Sequence, residues 1–173
     1  MPRIVPLVVL LLLESPAALM GQEATAPRRI ATVTAGIGNT MGWLGLQGER
    51  YFANDRLSAF LGLGYTPIID QGDPSGLTFA VGVRGYTSGV KHRGFLALSV
   101  SQLFVESGGG EDPSRLYGPG LEAGYQFASR GGFTFMVGAG AGYAPGMPEG
   151  ESMVGSMVEL GFGYTWRLQP TGP

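Results

Sequence analysis

The segment Met157-Val158-Glu159-Leu160-Gly161-Phe162-Gly163-Tyr164-Thr165-Trp166-Arg167-Leu168 alternates at every step. An extended chain sends successive side chains to opposite faces. Val158, Leu160, Phe162, Tyr164, Trp166 and Leu168 therefore share one face, and Met157, Glu159, Gly161, Gly163, Thr165 and Arg167 the other. One face is broad and greasy; the other is small or charged. A helix is a poor reading, because each interior glycine costs about 1 kcal/mol relative to alanine. The period recurs upstream. Phe133, Phe135, Val137, Ala139, Ala141 and Tyr143 oppose Thr134, Met136, Gly138, Gly140 and Gly142; Phe79, Val81 and Val83 oppose Ala80, Gly82, Arg84 and Tyr86.

Extending this pattern predicts strands over 30–38, 41–52, 57–65, 77–86, 94–104, 116–127, 133–143 and 153–168. The connections alternate in length. Those at 53–56, 87–93 and 128–132 are short, whereas 66–76, 105–115 and 144–151 are long and rich in Gly, Pro and acids. Only the first, at 39–40, is very short on the long-loop side. Short turns at one end and long loops at the other are expected of an eight-stranded antiparallel up-and-down transmembrane β-barrel in an outer membrane, with the short turns and both termini periplasmic. The inward face fits a narrow lumen, with Gly62, Gly64, Gly82, Gly124, Gly138, Gly140, Gly161 and Gly163 on it. Aromatics gather near strand ends, where amphipathic rings meet a water–lipid interface. They are Trp43, Tyr65, Tyr117 and Tyr143 at the loop end, and Phe52, Tyr86, Phe127, Phe133 and Trp166 at the turn end.

The N-terminus reads as a secretory signal over 1–21: Arg3, an apolar run from Ile4 to Leu13, then Ser15-Pro16-Ala17-Ala18. A short periplasmic segment at 22–29, the barrel at 30–168 and a tail at 169–173 complete the organisation. The expected location is the bacterial outer membrane. A net charge of -2 points away from nucleic acid and from a polybasic membrane anchor. With no cysteine there is no disulfide framework, thiolate zinc site or cysteine nucleophile. A single histidine excludes a histidine-cluster metal centre, and no cofactor is expected.

Charge sorts by end. The long loops hold Asp70, Asp73, Glu106, Glu111, Asp112, Glu149 and Glu151 against Arg115. The turn end holds Arg28, Arg29, Arg50, Arg56, Lys91, Arg93, Arg130 and Arg167 against Glu23 and Asp55. The bland account is solvation of loops and turns. The functional account is a basic collar facing phosphate headgroups, with Asp70, Asp73, Glu111, Asp112, Glu149 and Glu151 as an oxygen-ligand cation site beside the outer surface. Four more charges, Glu49, Arg84, Glu122 and Glu159, face the lumen, and buried charges must pair or meet water. The simplest reading is a plug in which Arg84, helped by Arg167, bridges the three carboxylates. The rival is a narrow ion path.

Catalysis has little to stand on. His92 sits in a predicted turn between Lys91 and Arg93, while Ser99 and Ser101 lie on the strand leading away from it. Gly108-Gly109-Gly110 is followed by Glu111 and Asp112, which would repel phosphate. The chain is expected not to be an enzyme.

The strand count, loop asymmetry, inward Glu/Arg set and aromatic last strand resemble small outer-membrane β-barrel proteins of the OmpA/OmpX-like superfamily, across about Ile30 to Leu168. Glu159 to Trp166 looks like the C-terminal strand that the barrel-assembly machinery recognises, although Arg167 to Pro173 follow it. The resemblance implies outer-membrane lipids and that machinery as partners. It implies one of three roles: a structural or adhesive surface protein with a ligand outside the cell, a porin-like channel for small solutes, or a lipid A acylhydrolase or acyltransferase.

Overall fold

The computed structural model describes residues 28–53, 55–66, 76–103, 117–143 and 154–168. They form eight strands: β1 (Arg28–Gly38), β2 (Gly42–Phe52), β3 (Leu57–Thr66), β4 (Gly76–Tyr86), β5 (His92–Gln102), β6 (Tyr117–Ala128), β7 (Phe133–Tyr143) and β8 (Val154–Leu168). Each bound lies within two residues of the sequence expectation. Every strand pairs antiparallel with its chain neighbours, and β1 pairs with β8 from Arg28↔Leu168 to Gly38↔Glu159, so the sheet closes and no edge is left.

The wall is inside out by the standard of a water-soluble core. Leu46, Leu61, Leu63, Phe79, Val81, Leu98, Val137, Val158 and Phe162 are exposed on the outer face, while Thr32, Gln47, Glu49, Arg84, Glu122, Gln126 and Glu159 are buried inside. The inward glycines are the space that lets eight strands close around large side chains. A Cβ at Gly82 would strike the Phe60 ring, one at Gly124 the Phe95 ring, one at Gly138 the Glu122 carboxyl, and one at Gly120 the Met157 sulfur. Each of these four glycines thus receives a bulky residue from a different strand, which helps fill the narrow interior.

The short first connection now has a reason. Residues 39–41 fold into the loop-end mouth, with Asn39, Thr40 and Met41 buried. The carbonyls of Thr40 and Met41 lie where Cβ atoms would stand at Gly62 and Gly64. Gly42, at φ +69°, returns the chain to β2. The Asn39 amide spans the mouth. Its Nδ2 donates to the Gln102 carbonyl on β5 (2.8 Å), its Oδ1 accepts from Val158 N (2.8 Å), and its own backbone N donates to the Val158 carbonyl (3.0 Å).

Candidate functional site

The lumen is built in two storeys, each centred on a buried arginine. In the upper one, β4 projects Arg84 inward, fully buried. Its guanidinium lies over the rings of both Phe60 and Phe95, at 4.3 and 4.8 Å from their centroids, within reach of their π electrons. Its edge donates to Glu159 Oε2 (2.5 Å) and Gln47 Oε1 (2.7 Å). The Glu122 carboxyl fills the space left by the missing side chain at Gly138, the residue paired with Glu159, so the two carboxyls lie near each other.

Glu49 is held chiefly by hydroxyls. Tyr51 (2.9 Å) and Tyr86 (2.5 Å) donate to it, as does Ser58, while the Arg84 guanidinium stands 3.9 Å away. Arg84 therefore forms a short ion pair with Glu159 and a long one with Glu49, and among the described residues it makes no ion pair with Glu122. Tyr86 is buried in this network rather than at an outer interface. It lies two residues beyond Arg84 on the same strand, so it must point the same way as that arginine.

The lower storey lies at the turn end. Arg93 stacks on Tyr86 (4.2 Å) and Tyr51 (5.3 Å) and donates to the Asp55 carbonyl (2.7 Å) and Gln126 Oε1 (3.3 Å). Arg29 donates to the same Gln126 oxygen (2.6 Å) and to the Val90 carbonyl (2.8 Å). Both are buried, so they leave the outer basic collar. A register shift between Arg29 and Ala31 moves Arg29 to the inside. Arg167 is not part of the Arg84 cluster; it donates to the Ala128 carbonyl at the rim (3.1 Å). A hydroxyl chain, Thr134 to Thr165 (2.6 Å), Thr165 to Thr32 (2.7 Å) and Thr32 to Tyr51 (3.1 Å), ties β7, β8, β1 and β2 across this level.

Trp43, Tyr65 and Tyr143 are exposed on the outer face at the loop end, and Trp166 at the turn end. Phe127 packs on His92, 5.2 Å between centroids, and the His92 ring nitrogen Nδ1 is hydrogen-bonded to the Tyr125 hydroxyl. His92 is exposed, whereas Ser99 and Ser101 are buried inside, so the wall separates them. Asp70, Asp73, Glu111, Asp112, Glu149 and Glu151 lie outside the described residues, as do the segments 1–21 and 169–173. Among the described residues no cluster of three metal-ligating side chains occurs.

The sequence reading missed Phe60, Phe95, Tyr51 and Ser58 as partners of the lumen charges. Parity carried the signal: Tyr51 follows Glu49 by two on β2, and Phe60 follows Ser58 by two on β3. No family model matches the chain, and no curated protein or solved structure matches it either.

Proposed function

We propose that this chain is an integral outer-membrane β-barrel protein of the OmpA/OmpX-like kind, exported through the secretory pathway and non-catalytic. It acts through its barrel and its acidic loops, on the envelope or on ligands outside. The observation that carries this reading is the reversed sidedness of the wall: a belt of large apolar side chains outside, charged and hydroxyl groups inside. Water-soluble monomers rarely expose a contiguous apolar patch above a few hundred Å². A closed barrel satisfies every wall hydrogen bond internally, as a hydrocarbon environment demands. Outer-membrane lipids and, during biogenesis, the barrel-assembly machinery are the partners; loop acids are the cation ligands. The test is electrophoretic mobility in detergent with and without heating. A folded barrel migrates differently until boiled. A single mobility, together with a monodisperse aqueous monomer in the absence of detergent, refutes the proposal.

The lumen is read as a plug. Its support is Arg84 packed over two phenylalanines, with the 39–41 turn across one mouth and the Arg29–Gln126–Arg93 layer across the other. A narrow pore is the second reading. What favours it is a set of buried oxygens without a protein partner among the described residues, at Thr40, Ser99, Ser101, Glu122 and Glu159, which a file of water would wet. Planar-bilayer recording separates the two: a silent bilayer supports the plug, and discrete conductance steps support the pore.

A further inference from the structure

One sector of the outer wall departs from the rest. The outward positions of β2 run Leu46, Gly48 and Arg50. Gly48 pairs with Val33 and Leu61, and Arg50 pairs with Ala31 and Ala59. A Cβ at Gly48 would meet nothing within 4 Å, so open space lies above it. Ala31, Val33, Gly48, Arg50, Ala59 and Leu61 line a shallow groove of about 400 Å³. Arg50 is also unusual in charge. Among the outward positions of the described strands it is the charged side chain that lies within a strand, Arg28 being the first residue of β1. Among the described residues no carboxylate pairs with it.

We propose that this groove binds one anionic phospholipid of the inner leaflet. The phosphate meets the Arg50 guanidinium, and an acyl chain lies over Gly48 between Val33 and Leu61. The inference rests on the membrane reading above. Three features select this occupant. Arg50 lies two residues before Phe52, the turn-end terminus of β2, which is the side that reading turns to the periplasm. Its planar fork matches two phosphate oxygens, and its long stem lets the charge reach headgroup level while the methylenes stay in the apolar wall. A second copy of the chain is disfavoured, because a two-fold contact centred here would bring two Arg50 side chains together with no carboxylate between them.

The test is native mass spectrometry of the full chain released from mixed micelles containing phosphatidylglycerol or phosphatidylcholine. Wild type should retain one phosphatidylglycerol in preference to phosphatidylcholine by about fivefold. Arg50→Gln should abolish the preference. Gly48→Leu, whose added side chain enters open space and leaves the fold intact, should reduce retention of both lipids. Equal retention of the two lipids by wild type overturns the proposal, as does unchanged retention in both variants. Detection of a lipid-free dimer that Gly48→Leu disperses also overturns it, in favour of a second copy. Heat-dependent mobility of the same samples tests the membrane reading on its own. If that shift is present and the lipid result is negative, only the groove proposal falls; if the shift is absent and the chain is a monodisperse aqueous monomer without detergent, both fall.

Discussion

Replacing Arg84 by methionine tests the lumen most directly. The change removes the 2.5 Å pair with Glu159 and the 2.7 Å bond to Gln47 while keeping an unbranched side chain against Phe60 and Phe95. Methionine sulfur packs acceptably on aromatic rings, so the cavity cost is small. The electrostatic cost is not. Glu159 is buried with Glu122 nearby, and it loses the cation that pairs with it among the described residues. Removing one partner of a buried pair costs about 3–5 kcal/mol, most of it from the charge left behind. With a slope near ~2 kcal/mol per M, the urea midpoint should fall by roughly 2 M. The assay is equilibrium unfolding from lipid vesicles, followed by the emission of Trp43 and Trp166, both on the outer face. The second arm is Arg84→Met with Glu159→Gln. Neutralising the stranded carboxyl should recover about 1–3 kcal/mol as a coupling energy. A single variant within about 0.5 kcal/mol of wild type would refute the reasoning, since surface-like tolerance is incompatible with a charge held in place. Strict additivity in the cycle would refute it equally.

Gly124→Leu should destabilise by about 1–3 kcal/mol in the same assay, because its Cβ alone strikes the Phe95 ring; a neutral result means the lumen is looser than described. Asn39→Ala should cost about 1–3 kcal/mol and speed hydrogen exchange at Val158 N, which loses its 2.8 Å acceptor; unchanged exchange contradicts the seating of the turn. Replacing Asp70, Asp73, Glu111, Asp112, Glu149 and Glu151 by their amides should remove the calorimetric heat of calcium binding to the folded chain; the same heat before and after dismisses the loop cation site. His92→Ala should leave envelope lipid composition as in wild type, and an altered acyl pattern would reopen the enzymatic reading.

Most of the wall was legible because period two is unforgiving: Val158 and Glu159 cannot exchange faces without moving their whole strand. The glycines of β7 and β8 announced a narrow interior for the same reason. Parity failed where the backbone stops obeying it. The shift at Arg29 and Ala31 turned an expected collar arginine inward. Arg93 followed it inside because β5 begins at His92, ahead of the expected start, which brings Arg93 into the alternation that carries Phe95 inward. The 39–41 turn was seen only as too short. Its inward fold depends on space left by Gly62 and Gly64, which lie on a strand two crossings away from β1. Charge counting found the long Arg84–Glu49 pair but not the closer hydroxyls of Tyr51, Ser58 and Tyr86, because opposite charges are the louder signal in a sequence.

The turn at 39–41 grips Val158 on the last strand and Gln102 on the fifth. Its anchors therefore do not exist until the first and final strands have met. Seating of the turn and closure of the sheet are thus coupled through one asparagine.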